Sequence, residues 1–232
     1  LILFNQAKTK WTGLALIIGN GLIFVIALLT FARTAWIAIL FELILFFALI
    51  YQKRLVEIAK YALILVLLMM PFVVYMYIFS TSYVALSSTE TRVVLSEIAV
   101  QMFTSSPILG YGAGTFINYV GNIYLFTFEF GQAMDAHGVL QKVMGEMGLA
   151  GLITLTLMFG YVIKRLVNSY RNLPVASQGK YIIAMCLVMT VGSIVYQLFN
   201  TNYYSSKLWI PIALALAATK VFKHEERKAR KT

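Results

Sequence analysis

Residues 181–199 read YIIAMCLVMTVGSIVYQLF, an apolar run without a charged side chain. The run is close to the roughly 20 residues that an α-helix needs to cross the hydrocarbon core of a bilayer, about 30 Å thick. Five more apolar runs of comparable character cover residues 13–32, 34–51, 61–79, 139–163 and 208–222. The pattern predicts an all-α protein, a polytopic bundle of about six transmembrane helices.

The composition supports a membrane protein. Of the 232 residues, 60% are hydrophobic and 12% charged, and the mean hydropathy is +0.81, whereas about 25% of an average soluble domain is charged. The net charge of +10 would also suit a nucleic-acid partner, but the basic residues cluster between the apolar runs. That distribution is typical of contact with anionic lipid. We therefore expect membrane lipid, and no nucleic acid, among the partners.

The positive charges predict the sidedness of the bundle. Most Lys and Arg residues fall within residues 8–10, 53–60, 164–180 and 220–231, which are alternate connections and the end of the chain. Because Lys and Arg accumulate in cytoplasmic loops, both ends of the chain are predicted to be cytoplasmic, including the basic tail 223–232. The 80–138 segment is then an extracytoplasmic loop. Since apolar Leu1–Phe4 look like the end of an earlier apolar segment, we expect residues 1–232 to be a single membrane domain and a fragment of a larger protein.

The long outer segment contains a predicted interfacial helix and a glycine-rich turn. Thr89 or Thr91 could cap a helix that runs to about Thr104, and Pro107 would end it. Its apolar stripe consists of Val94, Leu95, Ile98 and Met102. Residues 108–116, ILGYGAGTF, follow. A dinucleotide site is excluded here because it needs a strand before the glycines. Gly110, Gly112 and Gly114 either form a sharp turn toward the membrane or let a lipid-linked phosphate or sugar approach the backbone.

His137 is a candidate general base, because an unperturbed pKa near 6.5 suits proton transfer at neutral pH. The alternative is an interfacial residue without a catalytic role. Asp135 and Gln141 lie close enough in sequence for either to orient the ring. The chain holds only one other histidine, His224, and no second aspartate, so neither a multi-histidine metal site nor a paired-aspartate site for metal and nucleotide diphosphate is expected.

Several further charges stand in apolar surroundings. Arg33 is placed at the outer end of two spans, where it either binds an anion such as phosphate or extends to the interface. Arg92 either binds such an anion or forms an ion pair with Glu97, five residues on, at a solvated face. Lys142 and Glu146 have the i,i+4 spacing of an ion pair within one helix, and we expect Glu146 to support packing.

Three stretches, taken together and in this order, resemble the O-antigen ligase and polymerase family of bacterial membrane glycosyltransferases. They are FARTAWIAI at 31–39, TRVVLSEIAVQMFTSSPILGYGAGTF at 91–116 and AHGVLQKVMGEMGLAGL at 136–152. The resemblance implies transfer of a glycan from an undecaprenyl diphosphate carrier to an acceptor hydroxyl on a glycan or lipid, without metal or cofactor. It places the active site at the outer face of the inner membrane. Because members of that family usually have ten or more spans, the resemblance also implies that this chain is the C-terminal half of a larger protein.

By the same resemblance, Arg33 and Arg92 bind the carrier diphosphate and His137 takes the acceptor proton. Gly110, Gly112, Gly114 and Gln141 would contact substrate, with Asp135 and Glu146 in support. Two alternatives stay open: a transporter or flippase of lipid-linked saccharide, suggested by the mid-span acid Glu42, and an inactive fragment.

Overall fold

The computed structural model describes residues 10–29, 33–51, 74, 78, 83–175, 177–200 and 203–223. This part of the chain is helical and contains no strand. Its helices are α1 Lys10–Leu29, α2 Arg33–Ile50, α3 Tyr83–Ser105, α4 Phe116–Gly121, α5 Tyr124–Phe130, α6 Val139–Asn172, α7 Gln178–Leu198 and α8 Ser206–Val221. The all-α prediction is confirmed.

Five of the six predicted transmembrane runs coincide with helices α1, α2, α6, α7 and α8. The sixth, residues 61–79, lies outside the described residues except for Val74 and Ile78. Two helices of the described part, α6 and α7, are long and apolar enough to cross a membrane, and Thr34–Ile50 is a shorter apolar helix. Membrane insertion is therefore supported, while the number of six spans stays a prediction.

Helices α2, α6, α7 and α8 pack together around one apolar cluster. Its members include Phe159, Leu166, Ile183, Leu187, Leu208 and Ile212. Contact between α2 and α7 depends on Gly192, because a Cβ there would collide with the Glu42 carboxylate. Small residues allow such close approach of helices where lipid offers no hydrophobic driving force. The Tyr170 hydroxyl also donates to the Leu49 carbonyl, which joins α6 to α2.

Helix α3 begins earlier than predicted. It starts at Tyr83, so Thr89 and Thr91 lie inside it and the predicted N-cap at either threonine is wrong. Residues 83–88, YVALSS, contain no helix breaker, so nothing in the backbone forces a start at the threonines. The predicted apolar stripe is confirmed, since Leu95, Ile98 and Met102 are buried, and the helix ends at Ser105 before Pro107.

A second apolar cluster joins α3, α4 and α5 to the beginning of α6. Leu95 and Met102 of α3 meet Phe116 and Val120 of α4 and Phe126 of α5. Gly145 admits this contact at α6, because a Cβ there would lie 3.3 Å from the Met102 sulfur. The segment from α3 to α5 is therefore folded against one end of α6.

Helix α6 is interrupted at Gly148, whose φ of 60° and ψ of −155° are not helical. The glycine loop, residues 106–115, fills the interruption with backbone hydrogen bonds. The Leu149 amide donates to the Pro107 carbonyl at 2.8 Å and the Ala150 amide to the Ile108 carbonyl at 3.1 Å. A Cβ at Gly148 would lie 2.6 Å from the Ile108 oxygen, so only glycine fits. Residues 139–147 thus form a separate helical segment that contacts the glycine loop.

Candidate functional site

Two amides of the glycine loop, those of Tyr111 and Gly112, donate hydrogen bonds to backbone carbonyls of α6. Gly110, Gly112 and Gly114 have φ values of 69°, 103° and 81°, the left-handed region that favours glycine. The Gly110 amide donates to the Ser106 carbonyl and the Gly112 amide to the Glu146 carbonyl, at 3.1 and 2.7 Å. Within the described residues, the Gly114 amide has no such acceptor. These bonds agree with the interpretation of the glycines as a sharp turn. Of the three glycines, only Gly114 has an amide without an acceptor in the described part of the chain.

His137 lies in the short connection between α5 and α6, at the end of α6 that the glycine loop contacts. Its side chain is half-buried. Burial lowers the pKa of the imidazole below 6.5, the positive charge of Arg92 lowers it further, and Asp135 opposes both by raising it. A lowered pKa keeps the ring neutral at pH 7, and a neutral ring is the form that can accept a proton.

Arg92 is brought toward His137 by the packing of α3 on α6. Its Nε is buried and has no hydrogen-bond partner in the described part of the chain. The alternative partner, Glu97, is exposed, and no Arg92–Glu97 ion pair occurs among the described residues. A guanidinium cannot lose its charge in a protein, and a buried donor without an acceptor costs about 1–3 kcal/mol. Arg92 therefore has one buried donor, Nε, that an acceptor atom of a ligand could satisfy.

Gln141 and Asp135 do not orient the imidazole as predicted. Gln141 Nε2 donates to Ser96 Oγ at 2.7 Å, and that hydroxyl donates to the Arg92 carbonyl at 2.7 Å. Asp135 accepts from the Ala136 amide and from Lys142. The described residues form no hydrogen bond with the His137 ring. Both residues are near His137 in sequence, but the Asp135 carboxylate is bonded to Ala136 and Lys142, and the Gln141 Nε2 group is bonded to Ser96. Gln141 Oε1 is left buried and unpartnered.

Lys142 and Glu146 are the centre of a buried polar network. The predicted ion pair is present, with 3.9 Å between Lys142 Nζ and Glu146 Oε1, and the two residues are 2% and 0% exposed. Glu146 also accepts from the Phe116 amide at 3.0 Å and from the Tyr203 hydroxyl at 2.7 Å. Burial and the hydrogen bond to Glu146 raise the pKa of Tyr203, so the phenol stays a donor. Glu146 supports packing, as predicted, by joining α6, α4 and the α7–α8 connection.

Sequence reasoning missed Tyr203 and Gly138. Tyr203 lies in the connection between α7 and α8, where the neighbouring residues form no periodic pattern that would predict a buried hydroxyl. Gly138 is required by contact, because a Cβ there would be 2.7 Å from the Leu198 carbonyl oxygen and 3.3 Å from Gln141 Oε1. The end of α7 therefore packs directly against the α5–α6 connection that contains His137.

The structure brings Arg92, His137, Asp135 and Gln141 to one end of α6, beside the glycine loop. Arg33 is the first residue of α2, and its side chain lies outside the described part, so its predicted approach to Arg92 stays a prediction. In the described ranges, no group of three or more His, Cys, Asp or Glu could hold a metal ion. The arrangement offers one base whose pKa is lowered, one guanidinium with a buried, unpartnered Nε, and amide groups, a set suited to binding an anion and moving a proton.

The sequence was compared with models of known protein families and with curated proteins. A family model described as O-antigen ligase matches residues 18–156, which include Arg33, Arg92, the glycine loop and His137. A search of curated proteins finds no match.

Proposed function

Because this chain belongs to the O-antigen ligase family, we propose that it transfers a glycan from undecaprenyl diphosphate to an acceptor hydroxyl. The transfer takes place at the outer face of the bacterial cytoplasmic membrane, in surface polysaccharide synthesis. The acceptor is a growing glycan or a lipid, and the reaction needs neither metal nor cofactor. Membership of the family supports a membrane enzyme that acts on lipid-linked glycans. The residues of the candidate site support the proposed roles in catalysis.

The observation that carries the proposal is the buried, unpartnered Nε of Arg92 beside a histidine whose pKa is lowered. The diphosphate of the carrier is the anion that fits this partly buried guanidinium, because Arg binds phosphate oxygens through charge-assisted hydrogen bonds. Arg33, at the start of α2, is the second cation proposed for the same diphosphate. The amide of Gly114 and the Oε1 of Gln141 are available for substrate groups.

The proposed reaction is a displacement at the anomeric carbon. The acceptor oxygen forms a bond to that carbon while its proton passes to the neutral imidazole of His137. The bond from the anomeric carbon to the carrier phosphate oxygen breaks, and its electron pair leaves on undecaprenyl diphosphate. Arg92 stabilises the charge that grows on this leaving group, where a preorganised donor has its largest effect on rate.

Replacing His137 by alanine tests the proposal in cells that carry only the variant gene. Loss of general-base catalysis typically costs a factor of about 10²–10⁴ in rate. We expect lipid-linked glycan to accumulate and polymerised or attached glycan to disappear at normal protein levels. His224→Ala is the matched control, since it removes the other histidine of the chain. Unchanged chain length and attachment in the His137 variant would refute the proposal.

The side on which the precursor accumulates separates the enzyme from the transporter alternative. A blocked glycosyltransferase leaves flipped precursor at the outer face, whereas a blocked flippase leaves precursor inside. Accessibility of the accumulated glycan to an added glycosidase in intact spheroplasts therefore supports the enzyme, and protection from it supports the transporter.

A further inference from the structure

A cavity of about 460 Å³ lies between α6 and α8, at the end of α6 away from His137. Its volume falls within the roughly 300–1,000 Å³ of small-molecule sites. The residues that line it include Tyr161, Lys164, Arg165, Asn168, Asn172 and Lys223. Lys164 is 25 residues beyond Val139, so at 1.5 Å per residue the cavity lies about 38 Å along α6 from the histidine connection.

Three cations converge on this cavity. Lys164, Arg165 and Lys223 form no ion pair within the described residues, and no acidic residue of that part lines the cavity. Glu225 and Glu226 lie outside the described residues. Arg165 Nε donates to Thr219 Oγ1 at 3.0 Å, which fixes the guanidinium at the α6–α8 contact. A group of cations held in one concave surface favours an anion with several acceptor oxygens.

The surface beside the cavity is apolar. Leu157 and Tyr161 are 68% and 61% exposed and are four residues apart on α6, so they occupy the same helix face. Tyrosine is typical of the level where a membrane meets water. The side chains of this face would lie along the acyl chains of a lipid whose headgroup enters the cavity.

We propose that this cavity binds a phosphate group, the chemistry that anionic lipid headgroups and free phosphate share. The apolar face of Leu157 and Tyr161 favours the lipid as its source. Basic pockets between membrane helices on the cytoplasmic side are suited to anionic headgroups, and the charge pattern of the sequence predicts that side for residues 164–180. The site is independent of glycan transfer, because its residues are a membrane thickness away from Arg92 and His137.

Native mass spectrometry of the full chain tests the proposal. The protein is released from vesicles that contain equal amounts of phosphatidylglycerol and phosphatidylcholine, and retained lipid is counted. We expect retention of phosphatidylglycerol, and at least about a tenfold weaker retention in the double variant Lys164→Gln/Lys223→Gln, because each lost charge-assisted bond is worth about a factor of ten. Arg165 is kept because of its bond to Thr219.

The matched control is Arg171→Gln/Lys220→Gln. It removes the same charge from the same helical region, but neither residue lines the cavity. Calorimetric titration with inorganic phosphate provides the second arm. Phosphate binding that is lost only in the cavity variant, without a change in lipid retention, supports the site with free phosphate as its source. Equal behaviour of the two double variants in both arms would overturn the proposal, and normal thermal melting shows that the variants are folded.

Discussion

At His137, two neighbouring charges act on the imidazole in opposite directions. Arg92 lowers its pKa and Asp135 raises it, while burial accounts for the largest part of the lowering. The neutral ring is the proton acceptor, so activity should fall when the pH drops below the pKa of His137. The acidic limb of the rate profile therefore reports on both neighbours.

Replacing Arg92 and replacing Asp135 should move the acidic limb of the rate profile in opposite directions. Arg92→Gln removes a repulsive positive charge, so the pKa rises and the limb moves to higher pH. Asp135→Asn removes an attractive negative charge, so the limb moves to lower pH. Arg92→Gln should also reduce the maximal rate by about 10²–10³, the usual cost of one lost stabilising donor. The pH dependence of initial glycan-transfer rates measures both effects, and a shift of the two variants in the same direction would contradict the assignment.

Glu146 gives a prediction on stability. Its carboxylate is fully buried and has three partners, so Glu146→Ala leaves the Phe116 amide and the Tyr203 hydroxyl without an acceptor, while Lys142 keeps its ion pair with Asp135. Each buried donor left without an acceptor costs about 1–3 kcal/mol in the free energy of unfolding, and this variant leaves two. Tyr203→Phe removes only one hydrogen bond to a charged group and should cost about 1.5–3 kcal/mol.

Tyr204→Phe is the control for that pair of variants, because Tyr204 is 62% exposed and its hydroxyl makes no hydrogen bond in the described part of the chain. Denaturant unfolding in detergent should rank the losses with Glu146→Ala largest and Tyr204→Phe near zero. Equal losses for Tyr203→Phe and Tyr204→Phe would show that the hydroxyl of Tyr203 does not stabilise the fold.

At the scale of elements, the glycine loop and the interruption of α6 form one unit. The loop supplies hydrogen bonds to the backbone groups around Gly148, and the interruption gives the loop a place to bind. The unit positions residues 139–147 against α3, which is how Arg92 comes near His137. A change in the loop should therefore alter α6 as well as the loop.

The glycines of the loop provide a matched comparison. Gly110 and Gly114 both have positive φ, so alanine at either position costs roughly 1–2 kcal/mol in backbone strain. A Cβ at Gly110 would also collide with the Glu146 and Met147 backbone, whereas a Cβ at Gly114 meets open space. Gly110→Ala should lower the free energy of unfolding by clearly more than Gly114→Ala.

Hydrogen exchange at the Tyr111 and Gly112 amides shows the difference directly. These amides bond to Gly145 and Glu146, so Gly110→Ala should make them exchange faster, while Gly114→Ala should leave them protected. Equal protection in both variants would contradict a steric role for Gly110.

Local patterns predicted the elements better than the contacts between them. The glycine triplet indicated a turn and the Lys142–Glu146 spacing indicated an ion pair, because both signals lie within a few residues. The interruption at Gly148 and the Tyr203–Glu146 bond arise between segments 38 and 57 residues apart. No local pattern encodes such partners. The predicted threonine N-cap was wrong because residues 83–88 contain no helix breaker, so the helix begins before the threonines.

For the whole molecule, the length of α6 determines what can lie on each side of a membrane. Its 34 residues would extend about 51 Å, and the part after Gly148 alone, residues 149–172, would extend about 36 Å. That part exceeds the roughly 30 Å of the hydrocarbon core, so its two ends must emerge on opposite sides if it crosses. The site at residues 135–147 and the cationic cavity would then face different compartments.

Cysteine labelling tests this arrangement. Cys186 is buried and is the chain's only cysteine, so Cys186→Ala gives a silent background. Glu129→Cys, in α5 of the outer loop, should react with a membrane-impermeant maleimide in intact spheroplasts. Val175→Cys, 81% exposed between α6 and α7, should react only after permeabilisation, because it follows the cationic end of α6. The reverse pattern would place His137 in the cytoplasm, where a flipped undecaprenyl-linked donor is absent, and would refute both the sidedness and the proposed transfer. Labelling of both positions in intact cells would show instead that α6 does not cross.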